Sequence, residues 1–144
     1  MIAVDTNILV YAHREDTDWH DRALARLLEL AESGDRWAIP WPCIHEFISV
    51  TTRPRYFDPP SSLPQALSAL KMWMQSPGLV LLHEGPGYFE KLAGLCLEAR
   101  VAGPVVHDAR IAAICLNAGV TELWTCDRDF SRFNALRVVN PVVG

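Results

Sequence analysis

Ile2-Ala3-Val4-Asp5-Thr6-Asn7-Ile8-Leu9-Val10-Tyr11-Ala12 opens the chain with a short apolar run, a carboxylate and a second apolar run. Three apolar residues ending at an acid read as a buried strand whose last residue meets solvent or a ligand. Thr6 is a candidate helix cap, with a short helix over Asn7 to His13.

The same punctuation recurs along the chain. A helix is expected to start near Asp16, Thr17 and Asp18. Leu24, Leu27, Leu28 and Ala31 give it an apolar face, and Gly34 ends it. Trp37-Ala38-Ile39 is a second strand, and Pro40 and Pro42 lead into a helix over about Cys43 to Thr52 that carries Glu46. Arg53 to Ser61 (RPRYFDPPS) holds three prolines and reads as a loop. Ser62 and Gln65 have capping-box spacing, and Leu67, Leu70 and Met74 form the apolar face behind them.

Leu79 to Leu82 is a third strand, expected to be central because its apolarity is unbroken. Gly85-Pro86-Gly87 turns into a helix with Phe89, Leu92, Ala93 and Cys96 on one side, and Gly103-Pro104 breaks it. Asp108 starts a helix with Ile111, Ala112 and Cys115 inward and Gly119 as its stop. Leu123-Trp124-Thr125 is a fourth strand running out to Asp127, and Arg137-Val138-Val139 a fifth. Short apolar strands alternating with helices predict a parallel α/β sheet covered on both faces. In such a sheet the strand C-terminal ends share one edge, where ligands bind. Asp5 and Asp127 then become neighbours if their strands are adjacent.

The bulk properties set bounds. At 144 residues with 50% hydrophobic content, the chain fits one domain over residues 1–144 with one sizeable core. Its net charge of −4 is unlike the basic balance common in nucleic-acid binders, although a bound divalent cation reverses the local sign. Eleven of the thirteen basic residues are Arg, which suits bidentate phosphate contacts. Cys43, Cys96, Cys115 and Cys126 form no C-x-x-C pair and read as reduced core thiols. No basic leader or membrane-length apolar run occurs, so a cytoplasmic location is expected.

Asp5, Glu46, Asp108 and Asp127 are the acids that matter. Each has an ordinary reading, as a strand end, a solvated helix charge, a cap or a turn. As a set they are harder to dismiss. Asp5 and Glu46 sit inside apolar segments, where a charge is expensive unless paired or metal-bound. Converging carboxylates raise one another's pKa until a cation enters, and an all-oxygen cluster selects Mg²⁺ or Mn²⁺ over zinc.

Asp5-Thr6-Asn7 after the first strand, Glu46 after a proline-bounded strand, Asp108-Ala-Arg-Ile-Ala-Ala113, and Thr125-Cys-Asp-Arg-Asp-Phe130 together resemble the PIN domain. The closest resemblance is to the VapC-type toxins of bacterial toxin–antitoxin pairs. It covers essentially the whole chain, and the first and last motifs are its most specific parts. It implies a three-layer α/β/α sandwich with a short, mainly parallel sheet. It also implies a metal-dependent endoribonuclease, with Asp5, Glu46, Asp108 and Asp127 as catalytic and metal-binding acids. Asp129 would be a further metal acid, and Asn7 and Thr125 supporting polar groups. Hydrolysis of RNA with Mg²⁺ or Mn²⁺ would leave 5′-phosphate and 3′-hydroxyl ends. A cognate antitoxin and a homodimer are the implied partners, with surfaces drawn from Trp19, Trp37, Trp41, Tyr56, Phe57 and Trp73. Arg53, Arg55, Arg110, Arg128 and Arg132 are candidate phosphate contacts. His45 and His107, beside Glu46 and Asp108, match no family position and read as packing or surface residues.

Three other readings compete. A haloacid-dehalogenase-like phosphatase needs a second Asp where Asn7 stands. A receiver-type signalling domain needs a Lys on a late strand, whereas Lys71 and Lys91 lie in predicted helices. A non-catalytic PIN-like domain that binds RNA or protein is the remaining alternative.

Overall fold

The computed structural model describes residues 1–143. Strands β1 (Ile2–Val4), β2 (Trp37–Pro40), β3 (Leu79–Leu82), β4 (Glu122–Trp124) and β5 (Arg137–Val139) form one sheet in the order β3-β2-β1-β4-β5. Every pairing is parallel, with Ala3 beside Ala38 on one side and Leu123 on the other. The chain runs outward from β1 through β2 to β3, then crosses back to β4 and β5. Right-handed crossovers place the helices of those two journeys on opposite faces. Helices α1 (Thr6–His13), α2 (His20–Glu32), α3 (Trp41–Thr51) and α4 (Leu63–Met74) make the first layer. Helices α5 (Tyr88–Glu98) and α6 (Val106–Asn117), packed on each other, make the second. This is the three-layer α/β/α sandwich expected. One contiguous apolar cluster fills it, anchored by the fully buried Trp37, Phe47, Phe130, Phe133, Ile114 and Leu123.

The structure differs from the sequence reading in several places. β3 is an edge strand, and Leu79, Val80 and Leu81 are only partly buried. Its apolarity serves contact with helices on both faces of an edge and does not require two flanking strands. The cap of α1 is Asp5, whose carboxylate accepts the Thr6 N–H; Thr6 is the first helical residue. Helix α2 begins at His20, because Thr17 closes a preceding turn by donating its hydroxyl to the Arg14 carbonyl. Its buried face is Ala23, Leu27 and Leu30, with Leu28 exposed, and α4 buries Ala66, Leu70 and Trp73 while Leu67 and Met74 are exposed. Both stripes are shifted from the ones read: Leu27 and Leu70 are buried as expected, but Ala23 and Ala66 are inward in place of Leu28 and Leu67. Phe89 of α5 is 71% exposed, and only Leu95 of that helix is fully inward.

The capping box of Ser62 and Gln65 is present. Gly119 ends α6 with φ of +78°, a left-handed conformation that glycine adopts without strain. Gly78 is required for space: an added Cβ would lie 2.2 Å from the Asp35 carbonyl oxygen, where the chain enters β2 and β3 side by side. All four cysteines are free; Cys43 and Cys115 are core thiols, and Cys96 and Cys126 are partly exposed. No helix among the described residues is long and apolar enough to cross a membrane.

Candidate active site

The strand order reverses at β1 and β4, whose C-terminal ends diverge into separate connections. That divergence opens a crevice, the usual ligand position in an open parallel sheet. Asp5 is the first residue after β1, and its backbone N–H continues the sheet by donating to the Trp124 carbonyl at 2.9 Å. Asp127 lies three residues beyond β4 rather than directly after it, so Thr125 and Cys126 intervene.

Thr125 is the hub between the two acids. Its hydroxyl donates to Asp5 Oδ2 at 2.8 Å. The same oxygen accepts from the Asp127 N–H at 3.0 Å and from Asn7 Nδ2 at 3.1 Å. Asn7 closes the ring by accepting the Cys126 N–H at 3.1 Å through Oδ1. Asn7 and Thr125 thus tie Asp5 to the backbone that carries Asp127. Asp127 Oδ1 in turn accepts the Asp129 N–H at 2.8 Å, which starts the short 3₁₀ turn Arg128–Arg132.

Asp5 is 5% exposed. Its other oxygen accepts the Thr6 N–H at 2.8 Å and faces the Cys43 thiol at 3.5 Å. Burial pushes its carboxyl above the usual aspartate range, and the Asp127 charge adds to this, while the bonds from Thr125, Thr6 and Cys43 oppose it. Glu46 is on the third helix, exposed overall but lining the crevice. Lost water contact and the charges of Asp5, Asp108 and Asp127 raise its carboxyl too. Asp108 stands in the first turn of α6, two residues past its start, and is not its cap. Its carboxyl is raised by burial and then by Asp127, Asp5 and Asp129.

Carboxylate oxygens of Asp108, Asp127 and Asp129 lie within 4.8 Å of one another. Asp5 and Glu46 fall outside that tight group but line one cavity of about 370 Å³ with Asp108 and Asp127. Asp129 is exposed, and its carboxylate is 3.8 Å from Arg132. Among the described residues no Lys or Arg is in ion-pair contact with Asp5, Glu46, Asp108 or Asp127. Thr6 lines the same cavity; its buried hydroxyl lies near Glu46 and Cys43 but makes no hydrogen bond of good geometry with either. An all-oxygen donor set with excess negative charge fits a hard divalent cation.

Several groups of the site were given no role there by the sequence. Thr6, Cys43, Tyr11, Val50, Phe57 and Phe130 join the cavity or touch Asp5. Thr6 and Phe130 lie inside the two most specific motifs, which could have signalled them; the others carry no motif. Trp37 and Trp73 are core residues and so present no interaction surface. Arg110 is held by Glu84 at 2.6 Å. His45 and His107 are exposed, as read, and line a neighbouring recess with Arg110 that also touches Glu46.

A family model described as the PIN domain matches residues 2–136. Ribonuclease VapC43 of Mycobacterium tuberculosis is 33% identical over 144 residues, spanning 100% of this chain and 97% of that protein. Ribonuclease VapC31 of the same species is 31% identical over 150 residues, spanning 98% and 99%. Among solved structures, VapBC2 from Rickettsia felis bound to a DNA fragment from their promoter superposes with a TM-score of 0.70 at 21% identity. That match covers 96% of this chain and 98% of the other. Mycobacterium tuberculosis VapC20, a sarcin-ricin loop cleaving toxin, gives 0.67 at 17% identity over 95% and 99%.

Proposed function

The chain belongs to the PIN domain family, and on that footing we infer that it is a ribonuclease of the VapC kind, the toxin of a toxin–antitoxin pair. It hydrolyses RNA phosphodiester bonds with Mg²⁺, or Mn²⁺ in its place. The observation that carries this reading is the convergence of Asp5, Glu46, Asp108 and Asp127 on one crevice at the β1–β4 divergence. The occupied acid positions favour it over a PIN-like domain that only binds.

Asp108 and Asp127 are the residues that would hold the ion, with Asp129 closest to them and Asp5 and Glu46 lining the same cavity. When bound, such an ion supplies positive charge for the phosphate and makes water acidic enough to ionise near neutral pH. The protein's own contribution is orientation and proton handling. Thr125, Thr6 and Asn7 fix both oxygens of Asp5, so its geometry is set before any substrate arrives. Glu46 reaches the crevice from α3, outside the tight group of acids, and its raised pKa suits a carboxylate that takes the proton of the attacking water. A cognate antitoxin is the fitting protein partner, and a homodimer the fitting assembly.

The direct test is cleavage of total cellular RNA by purified, partner-free protein. Cleavage in Mg²⁺ or Mn²⁺, its loss in EDTA, and products with 5′-phosphate and 3′-hydroxyl ends are expected. Products ending in 2′,3′-cyclic phosphate would exclude the metal-assisted hydrolysis.

The electrostatics give a second prediction. The carboxyls of Asp5, Glu46 and Asp108 hold protons more tightly in the fold than in the unfolded chain. Their contribution favours the fold at acid pH and is lost as pH rises through their elevated values. Mg²⁺ therefore stabilises more at pH 7.5 than at pH 5. At a hundredfold excess over Kd the gain is about 2.7 kcal/mol, roughly 8 °C in Tm for a chain of this size. Asp108→Asn, which relieves repulsion without losing a hydrogen bond, raises the metal-free Tm by about 0.5–1 kcal/mol equivalent and removes most of the Mg²⁺ response. Thermal melts in EDTA and Mg²⁺ at both pH values check this; an equal Mg²⁺ shift in Asp108→Asn would remove that residue from the ion site.

A further inference from the structure

The loop from Arg53 to Ser61 brings two aromatic rings to the wall of the acid-lined cavity. Tyr56 and Phe57 line it together with Tyr11, facing the same space as Asp5, Glu46, Asp108 and Asp127. Tyr56 is 53% exposed, an apolar ring left open beside carboxylates. The fold does not need it there for packing.

The loop is also held firmly. The Arg14 guanidinium lies 4.3 Å from the Phe57 ring centroid. It donates to the Pro59 carbonyl at 3.0 Å and to Ser61 Oγ at 3.2 Å, and Asp16 grips it at 2.6 Å and 2.9 Å. Ser61 is tied again by His13 at 2.9 Å and, through its N–H, by the Thr51 carbonyl at 2.8 Å. The N–H groups of Tyr56 and Phe57 both close turns onto the Arg53 carbonyl, at 3.0 and 3.3 Å. The Arg53 guanidinium sits 5.4 Å from the Tyr56 ring centroid. Side chains on this loop are thus positioned in advance, which lowers the ordering cost of any ligand that meets them.

We infer that Tyr56 and Phe57 form a stacking platform for the nucleobase next to the scissile phosphate, so that the cleaved segment is unpaired RNA. The proposal rests on the ribonuclease reading, because it is the ion-held phosphate that brings a base into this cavity. Every nucleobase offers a π-face, and a duplex hides those faces inside its stack. Flat rings adjoining an anion-lined, cation-requiring crevice match one nucleotide: phosphate toward the acids, base toward the rings. Arg14 is a positioning residue for this platform and touches no substrate.

The test is binding of a mixed-sequence 12-nucleotide single-stranded RNA, carrying 2-aminopurine at successive positions, to the full chain in Ca²⁺. Wild type should quench 2-aminopurine at one position and bind the single strand in preference to a hairpin duplex of the same sequence. Tyr56→Ala should weaken single-strand binding about 5- to 100-fold, the range of one lost base–aromatic stack, and abolish that quenching. Its affinity should keep the wild-type dependence on salt, since no phosphate contact is removed. Tyr56→Phe should restore both signals. Because Tyr56 is exposed, the alanine variant should melt like wild type.

Unchanged binding and quenching in Tyr56→Ala, or no binding by wild type, would overturn the platform. Loss of antitoxin affinity alone would assign the rings to the protein partner and overturn it equally. Quenching that depends on Tyr56 in a protein that cuts no RNA in any metal would uphold the platform while the ribonuclease reading fell.

Discussion

Asp5→Asn is expected to lower kcat/KM for RNA by about a thousandfold or more, about 4 kcal/mol of transition-state stabilisation, and also to loosen the fold. The activity loss follows from removing the most rigidly placed charge in the crevice. The stability loss follows from hydrogen-bond direction. One oxygen of Asp5 accepts the Thr6 N–H, and the other accepts the Thr125 hydroxyl and lies 3.4 Å from Asn7 Nδ2. An asparagine must turn its NH₂ toward one of these sets. Toward Thr6 it meets a backbone donor that cannot reverse. Toward Thr125 it meets a hydroxyl whose oxygen already accepts from Asn7 and Asp127. Either way a buried donor is left unsatisfied, at about 1–3 kcal/mol. Relief of the buried charge offsets part of that, so a net loss of about 1 kcal/mol in EDTA is expected. Steady-state kinetics and metal-free melts measure the two effects separately. Activity within tenfold of wild type would remove Asp5 from the chemistry.

Thr125→Val should have the next largest effect, without removing any charge. The two side chains have almost the same shape, so only the hydroxyl is lost. With it go one donor to Asp5 and the acceptor for two N–H groups, those of Asp127 and Asn7. Removal of such an orienting partner typically lowers metal affinity or activity about 10- to 100-fold. The expected signature is a rise in the Mg²⁺ concentration for half-maximal activity, with destabilisation of about 1–3 kcal/mol. Thr125→Ser should recover both. A valine variant with wild-type Mg²⁺ dependence would mean that the acids hold their geometry unaided.

The architecture was readable from the first dozen residues outward because strand and helix periods differ so plainly here. Each predicted strand exists, and the acids at the ends of β1 and β4 meet because those strands pair. Position within the sheet was not readable for β3. An apolar run has the same pattern whether its second side meets another strand or a helix. The faces of α2 and α4 were read only in part for a related cause: Leu27 and Leu70 are inward as expected, but small residues such as Ala23 and Ala66 face the core where Leu28, Leu67 and Met74 do not. Within the site, acids announce themselves by charge. Cys43, Tyr11 and Phe57 do not, since an apolar or weakly polar residue in a crevice has the same local sequence as one in the core. The role of Thr125 was only partly visible. Its place before Cys126-Asp127 suggested support, but two of the three hydrogen bonds through its one oxygen go to residues 118 and 120 positions away.

The central place of β1 in the sheet has a consequence for biosynthesis. β1 pairs on one edge with β2, which is complete by Pro40, but its other edge needs β4, which begins only at Glu122. Until the ribosome has delivered that segment, Asp5 lacks Thr125 and Asp127, and the crevice has one wall. A nascent or prematurely terminated chain can therefore carry most of the helices and yet hold no complete centre. The centre is completed only by the segment from Glu122 onward, so a chain that stops before it lacks both Thr125 and Asp127.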